Sequence, residues 1–276
     1  MAEYRSWRPG RPHSVNRVRM GHGENIPPTR FFDNVTFIGN TYVGCFLIET
    51  SEGYVMLDNM CYDDAGYIEQ CMAEAGADPA ALKAILITHG HMDHFGNAGY
   101  FREKYGTKVY MSEIDAAWSQ NPASLPPDAP LIELRKFEID GYIKDREVFR
   151  SGNMWFDCVL TPGHTPGCMS FIFPVWDEGR AHIAALWGGT GPVKGNREAL
   201  KNHIQSSYKF TEAFMSYGAD VAVSTHPFVD NASEKLALCR RLVDGVPNPF
   251  VITPDALCRF QAMYTGLYQA ELDVLV

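Results

Sequence analysis

A chain of 276 residues that is 46% hydrophobic and 21% charged carries enough apolar material for one large domain or two small ones, which excludes a disordered chain. Its net charge of −9 argues against nucleic acid or an anionic membrane as the main partner. Seven cysteines without a CxxC spacing point to free thiols in a reducing, cytoplasmic setting, and no apolar run reaches the roughly 18 residues of a membrane span.

The first 30 residues carry six arginines against two glutamates, a net of +4, which leaves −13 on the rest of the chain. They lack an apolar signal region, and Pro9, Pro12, Pro27 and Pro28 make them irregular. Residues 1–30 therefore read as a basic arm, either a surface tail or a segment that docks on an acidic surface, its own or a neighbouring subunit's. A catalytic domain is expected over 31–246. Strands are predicted at Val35–Ile38, Tyr42–Ile48 and Tyr54–Leu57, a helix over 62–76, and a buried strand at Ala84–Thr88. A helix over Phe95–Tyr105, a strand at Lys108–Met111 and a four-proline loop at Asn121–Pro130 follow. Phe149–Pro174 holds two or three strands and His182–Trp187 another. A long helix at Glu198–Tyr217, a strand at Asp220–Ser224 and a helix at Ser233–Val243, capped by Ser233, complete this part. Residues 247–276 form an extension with a last helix from about Pro254 to Ala270, whose apolar face suits a lid or a subunit contact more than added core. The order is strand-rich and then mixed α and β, twice over, which suggests a layered α/β sandwich of two similar halves.

The strand Ala84–Thr88 runs straight into His89-Gly-His91-Met-Asp93-His94-Phe-Gly96. On extended backbone, side chains two apart point the same way, so His89 and His91 share a face. Imidazole suits zinc and related ions, Asp93 adds a hard oxygen, and Gly90 and Gly96 are expected to let the backbone bend around an ion. His164 in Thr161-Pro-Gly-His164 and His226 in Ser224-Thr-His226-Pro each close an apolar strand at a turn. Alone, either suits a turn or core histidine; with the first cluster they complete a set. His13, His22, His182 and His203 read as structural.

This set resembles the metallo-β-lactamase superfamily, marked by an H-x-H-x-D-H run, from about residue 30 to residue 243. The resemblance implies a four-layer αβ/βα sandwich with two metals at one edge. It assigns His89, His91 and His164 to one metal and Asp93, His94 and His226 to the other, with Asp58 behind them orienting the metal loop. The ligand pattern is most similar to the third subclass of metallo-β-lactamases, as are Tyr142-Ile-Lys-Asp145 and the helix Ile204–Phe214. Many superfamily members carry a metal-bridging aspartate, and some a cysteine, at the end of the strand before the last long helix. Here that place reads Trp187-Gly188-Gly189-Thr190, unlike glyoxalase II-type thioesterases and homoserine-lactone lactonases. A disulfide between Cys239 and Cys258, which related secreted enzymes suggest, is not expected in a cytoplasmic protein.

Two metals roughly 3.5–4 Å apart can share a water and lower its pKa toward ~7, which supplies a nucleophile without a Ser or Cys. Asp93 would position it as well as bind metal. The expected enzyme is therefore a hydrolase of a small amide, lactam or similar carbonyl compound with two zinc ions, iron and manganese being the other candidates. Gly188, Gly189 and Thr190 are expected to leave space beside the metals, with Lys194 as a partner for a substrate carboxylate and Trp118, Trp155 and Trp187 as candidate pocket walls or core. The alternatives are a lactone, ester or phosphodiester hydrolase on the same site, and a catalytically silent binding protein. A homo-oligomer through the arm or the last helix is a further expectation.

Overall fold

The structure, a computed structural model, describes residues 23–61, 64–119, 138–241 and 246–275. Most of the basic arm and the whole four-proline loop lie outside the described residues.

Seven strands form the first sheet in sequence order: β1 (Asn25–Phe32), β2 (Val35–Asn40), β3 (Gly44–Thr50), β4 (Gly53–Leu57), β5 (Leu82–Leu86), β6 (Lys108–Met111) and β7 (Gly141–Tyr142). β1 to β4 pair antiparallel, and β4 to β7 pair parallel. The second sheet runs β12 (Val221–Val223), β11 (Arg180–Leu186), β10 (Met169–Asp177), β9 (Met154–Leu160) and β8 (Glu147–Ser151), antiparallel except for the parallel β11–β12 pair. The helices are α1 (Ala65–Glu74), α2 (Met92–Phe95), α3 (Ala98–Tyr105), α4 (Glu113–Ser119), α5 (Arg197–Ser216), α6 (Ala232–Cys239) and α7 (Pro254–Asp273).

The central strands are apolar at successive positions because both faces are covered. In β3, Phe46 and Ile48 face the core between the sheets, while Cys45 and Leu47 face the core that also holds Ile68 and Met72 of α1 and Phe101 of α3. β10 divides likewise: Phe171 and Phe173 join the inter-sheet core, and Ile172 packs with Phe210 and Phe214 of α5 and with Leu257 and Tyr268 of α7. The result is the expected four layers, helix, sheet, sheet, helix. The sheets bring the C-terminal ends of β4, β5, β9, β11 and β12 to one edge of the sandwich.

Three expectations are corrected. Asn25 to Arg30, read as part of an irregular arm, belong to β1, which pairs with β2 across register shifts between Ile26 and Thr29 and between Arg30 and Phe32. An edge strand tolerates Pro27 and Pro28, because a missing N–H there costs no ladder bond. Phe31 and Phe32, which continue it, pack on Phe250 with ring centroids 4.6 and 6.5 Å apart. The last helix is core rather than a lid: Leu257, Tyr264 and Tyr268 of α7 are buried with α5, while Met263 and Leu267 point outward. Finally, α6 begins at Ala232 with Asn231, at φ 60°, as its N-cap instead of Ser233. Beyond these, α4 and β7 are elements that sequence patterning misses. Cys239 and Cys258 are free thiols.

Candidate metal centre

All six candidate ligands converge at this edge. His89, His91 and His164 form one group and Asp93, His94 and His226 a second, and within each the candidate donor atoms lie within 4.8 Å of one another. The imidazole centroids of the first group are 4.7–4.9 Å apart, and His89 and His94 bring the two groups together at 3.9 Å.

The chain spends the outward nitrogen of nearly every imidazole on an acceptor. Asp58 sits just past β4 at φ 58°, a left-handed conformation that aspartate tolerates better than most residues. From there one carboxylate oxygen accepts the Thr88 N–H at 2.7 Å. The other accepts the Thr88 hydroxyl at 2.8 Å and His94 Nδ1 at 2.6 Å. Because the Thr88 hydroxyl donates to Asp58, its lone pair is left to accept His89 Nδ1 at 2.9 Å. His164 Nδ1 donates to the Gly191 carbonyl at 2.7 Å, and His226 Nδ1 to the Tyr42 carbonyl at 2.8 Å. With Nδ1 so engaged, each ring keeps its Nε2 lone pair for the centre.

Those lone pairs lack protein partners suited to them. His89 Nε2 is buried with no hydrogen-bond partner among the described residues. His94 Nε2 and His226 Nε2 face each other at 3.1 Å, with an oxygen of Asp93 3.7 and 3.9 Å away. A buried imidazole nitrogen with no donor, and two acceptor nitrogens turned toward one carboxylate, fit a cation. Burial, reinforced by the neighbouring imidazoles, holds His89 and His164 well below their usual pKa, and burial holds His91 down at about 4. These rings are therefore neutral, as metal ligands must be. His94 differs: burial opposes its protonation, but Asp93 and Asp58 outweigh burial and raise its pKa.

These shifts set a pH dependence for the metal-free protein. His91 and His203, both held at about 4 by burial, are neutral when folded and protonate near pH 6.5 when unfolded. Below about pH 6.5 the unfolded chain thus binds more protons, and folding stability falls progressively toward pH 4. Urea unfolding in the presence of chelator is expected to show a lower midpoint at pH 5 than at pH 7; an unchanged midpoint would contradict this.

The Gly188–Lys194 segment takes a different form from the expected open space. A Cβ on Gly188 would run into the Met169 carbonyl, and one on Gly189 into the His164 ring, so both glycines serve close packing. Successive residues are tied from beneath: Gly188 N–H to Ser170 Oγ, the Gly189 carbonyl to His203 Nε2, the Thr190 carbonyl to the Tyr268 hydroxyl, and the Gly191 carbonyl to His164. The loop thus supports His164. Lys194 is exposed and pairs with Glu271 at 3.7 Å. The backbone bends at Gly90 and turns at Gly96 as expected, though neither adopts a positive φ; Gly90 is also tightly packed against Asp115, Trp118 and Ser119 of α4.

Of the three tryptophans, Trp118 stands beside the centre, 5.3 Å from His91, whereas Trp155 stacks on Tyr217 and Trp187 is buried against His203 and Phe210. Tyr42 and Phe228 flank His226 of the second group, at 5.3 and 5.1 Å. Sequence reasoning missed the supports: Thr88, Tyr42, Gly191, His203, Tyr268 and Asp115. Only Thr88, directly before the histidine run, had a positional signal.

Comparison with known proteins agrees with this geometry. The family model described as the Metallo-beta-lactamase superfamily matches residues 38–177. The probable metallo-hydrolase YqgX of Bacillus subtilis is 28% identical over 204 residues, covering 67% of this chain and 95% of that protein. Hydroxyacylglutathione hydrolase GloC of Haemophilus influenzae is 29% identical over 193 residues, covering 66% of this chain and 82% of that protein. Among solved structures, BJP-1, a subclass B3 metallo-beta-lactamase of Bradyrhizobium japonicum, matches with a TM-score of 0.77 at 24% identity over 93% of this chain and 97% of that one. The FEZ-1 metallo-beta-lactamase from Legionella gormanii matches with a TM-score of 0.78 at 20% identity over 92% and 98%. At these identities the structural likeness is one of fold.

Proposed function

The chain belongs to the metallo-β-lactamase superfamily and is a metal-dependent hydrolase, and from that premise we propose that it holds two zinc ions and cleaves a small amide, lactam or similar carbonyl substrate. The observation that carries this reading is the pair of three-ligand groups, His89/His91/His164 and Asp93/His94/His226, beside a β11 terminus that has two glycines in place of a side-chain ligand. When bound, such a metal pair supplies a Lewis acid and an acidified water.

The chain's own residues do the rest. His89 and His164 stay neutral and aim their free nitrogens inward, so little rearrangement is needed there when the site fills. Asp93 lies against both His94 and His226, where its carboxylate would hold a cation and orient the attacking water. Trp118 beside His91, and Tyr42 and Phe228 beside His226, give the mouth apolar walls for a small organic substrate. No helix among the described residues is long and apolar enough to cross a membrane. The free thiols Cys239 and Cys258 are consistent with a cytoplasmic setting.

The resemblance to GloC, a hydroxyacylglutathione hydrolase, favours a second reading, an ester or thioester hydrolase on the same ligands. A panel of the chromogenic β-lactam nitrocefin, linear amides, lactones, thioesters and phosphodiesters separates them. Turnover highest on the amide or lactam members is expected. Turnover confined to thioesters or lactones would replace the first reading with the second, and a protein that neither binds metal nor turns over any of them would be a binding protein.

A further inference from the structure

Asp115, in the first turn of α4, is a fully buried carboxylate that the metal groups do not use. Its oxygen Oδ2 accepts the Gly90 N–H at 2.8 Å and the Thr165 hydroxyl at 2.6 Å. Oδ1 accepts the Gly167 N–H at 2.6 Å. Gly90 lies between His89 and His91, and Thr165 directly follows His164. One carboxylate therefore joins the two chain segments, from different sheets, that supply the first group.

The neighbouring side chains strengthen this link. Ser112 Oγ accepts the Asp115 N–H at 3.1 Å and donates to the Gly167 carbonyl at 2.6 Å, so the start of α4 holds Gly167 by both its N–H and its carbonyl. Gly90 packs so closely on Asp115, Trp118 and Ser119 that an added Cβ would meet all three at 3.0–3.1 Å. Among the described residues, the Asp115 side chain bonds Gly90, Thr165 and Gly167 and no residue of the Asp93/His94/His226 group, whose rings are held by Asp58 and the Tyr42 carbonyl.

We propose that Asp115 is a positioning residue for the His89/His91/His164 group alone: its carboxylate sets the spacing between the His89–His91 pair and His164, and so sets the metal affinity of that group and not of the other. The inference rests on the two-metal reading above. A carboxylate can accept all three bonds, but an amide cannot, since its NH2 would face one of the same donors. Asp115→Asn is therefore nearly isosteric yet mismatched, and Thr165→Val removes a single bond from the same link.

Zinc affinity, measured by chelator competition on the metal-free protein, tests the proposal in two backgrounds. In His226→Ala, which leaves the first group intact, Asp115→Asn is expected to weaken zinc binding roughly 10- to 100-fold, as loss of a residue supporting a metal ligand does. In His91→Ala, which leaves the second group intact, it is expected to change little. Thr165→Val should show the same asymmetry at smaller size and serves if Asp115→Asn fails to fold. Equal losses in both backgrounds, or none in either, would overturn the proposal. A parent protein that binds no zinc would overturn the two-metal reading itself, and this inference with it.

Discussion

Alanine in place of His89 is expected to lower kcat/KM by about a thousandfold or more on whatever substrate the panel identifies. A Lewis acid contributes several kcal/mol to the transition state, and about 4 kcal/mol corresponds to a thousandfold in rate. His89 is the ligand to remove because its Nε2 is buried without a partner among the described residues and its ring neighbours both groups, with centroids 4.7 Å from His164 and 3.9 Å from His94. Chelation of the wild-type protein should produce a comparable loss that added zinc reverses, whereas zinc should not restore the variant. His182→Ala provides the comparison: that ring pairs with Asp220, away from the centre, and its loss should leave kcat/KM nearly unchanged. Full activity in His89→Ala, measured by steady-state kinetics with metal analysis, would remove the metal mechanism.

Replacing Asp58 should cost stability and metal affinity together. It is fully buried and holds Thr88 through two bonds and His94 through a third. Asp58→Ala leaves those donors unpaired in the interior, at a cost of about 3–5 kcal/mol by analogy with other broken buried charge networks. It also frees the Thr88 hydroxyl and, through it, the His89 ring. Asp58→Asn separates the two effects. Asparagine tolerates φ 58° as aspartate does and keeps one acceptor oxygen, so it should lose less stability than alanine, although its NH2 must face one of the donors that Asp58 accepts. The bond to His94 Nδ1 loses its charge, and zinc affinity of the second group should still fall roughly tenfold or more. Denaturant unfolding and chelator competition on the two variants check this; an Asp58→Asn protein with unchanged zinc affinity would limit Asp58 to a structural role.

The six candidate ligands were legible because ligand chemistry is written in residue types: three histidines and an aspartate within six positions after an apolar strand, and two more histidines at strand ends. The layers were legible for a related reason, since strands covered on both faces read as continuous apolar runs. The misses share a cause as well. Gly191 and Tyr42 orient imidazoles through their carbonyls, which every residue possesses, so no side chain marks them. Asp115 reads as one surface acid in a polar stretch until Gly90 and Thr165 are seen folded onto it. β1 was hidden by Pro27 and Pro28, whose loop signal holds in the middle of a sheet and lapses at its edge. The glycines after Trp187 suggested vacancy, whereas the fold uses them to let backbone and His164 approach.

Each ligand group draws from both sheets: the first adds His164 to His89 and His91, and the second adds His226 to Asp93 and His94. A bound ion is thus also a clasp between the two halves of the sandwich, and the second one would close a loop whose ends, His94 and His226, stand 132 residues apart in sequence. Two such clasps at one rim would tie the mechanical integrity of the molecule to its chemistry. Filling the site opposes separation of the halves by an amount that grows with the logarithm of ion concentration over its dissociation constant. Scarcity of the ion would then both silence the enzyme and loosen the protein that is meant to recapture it.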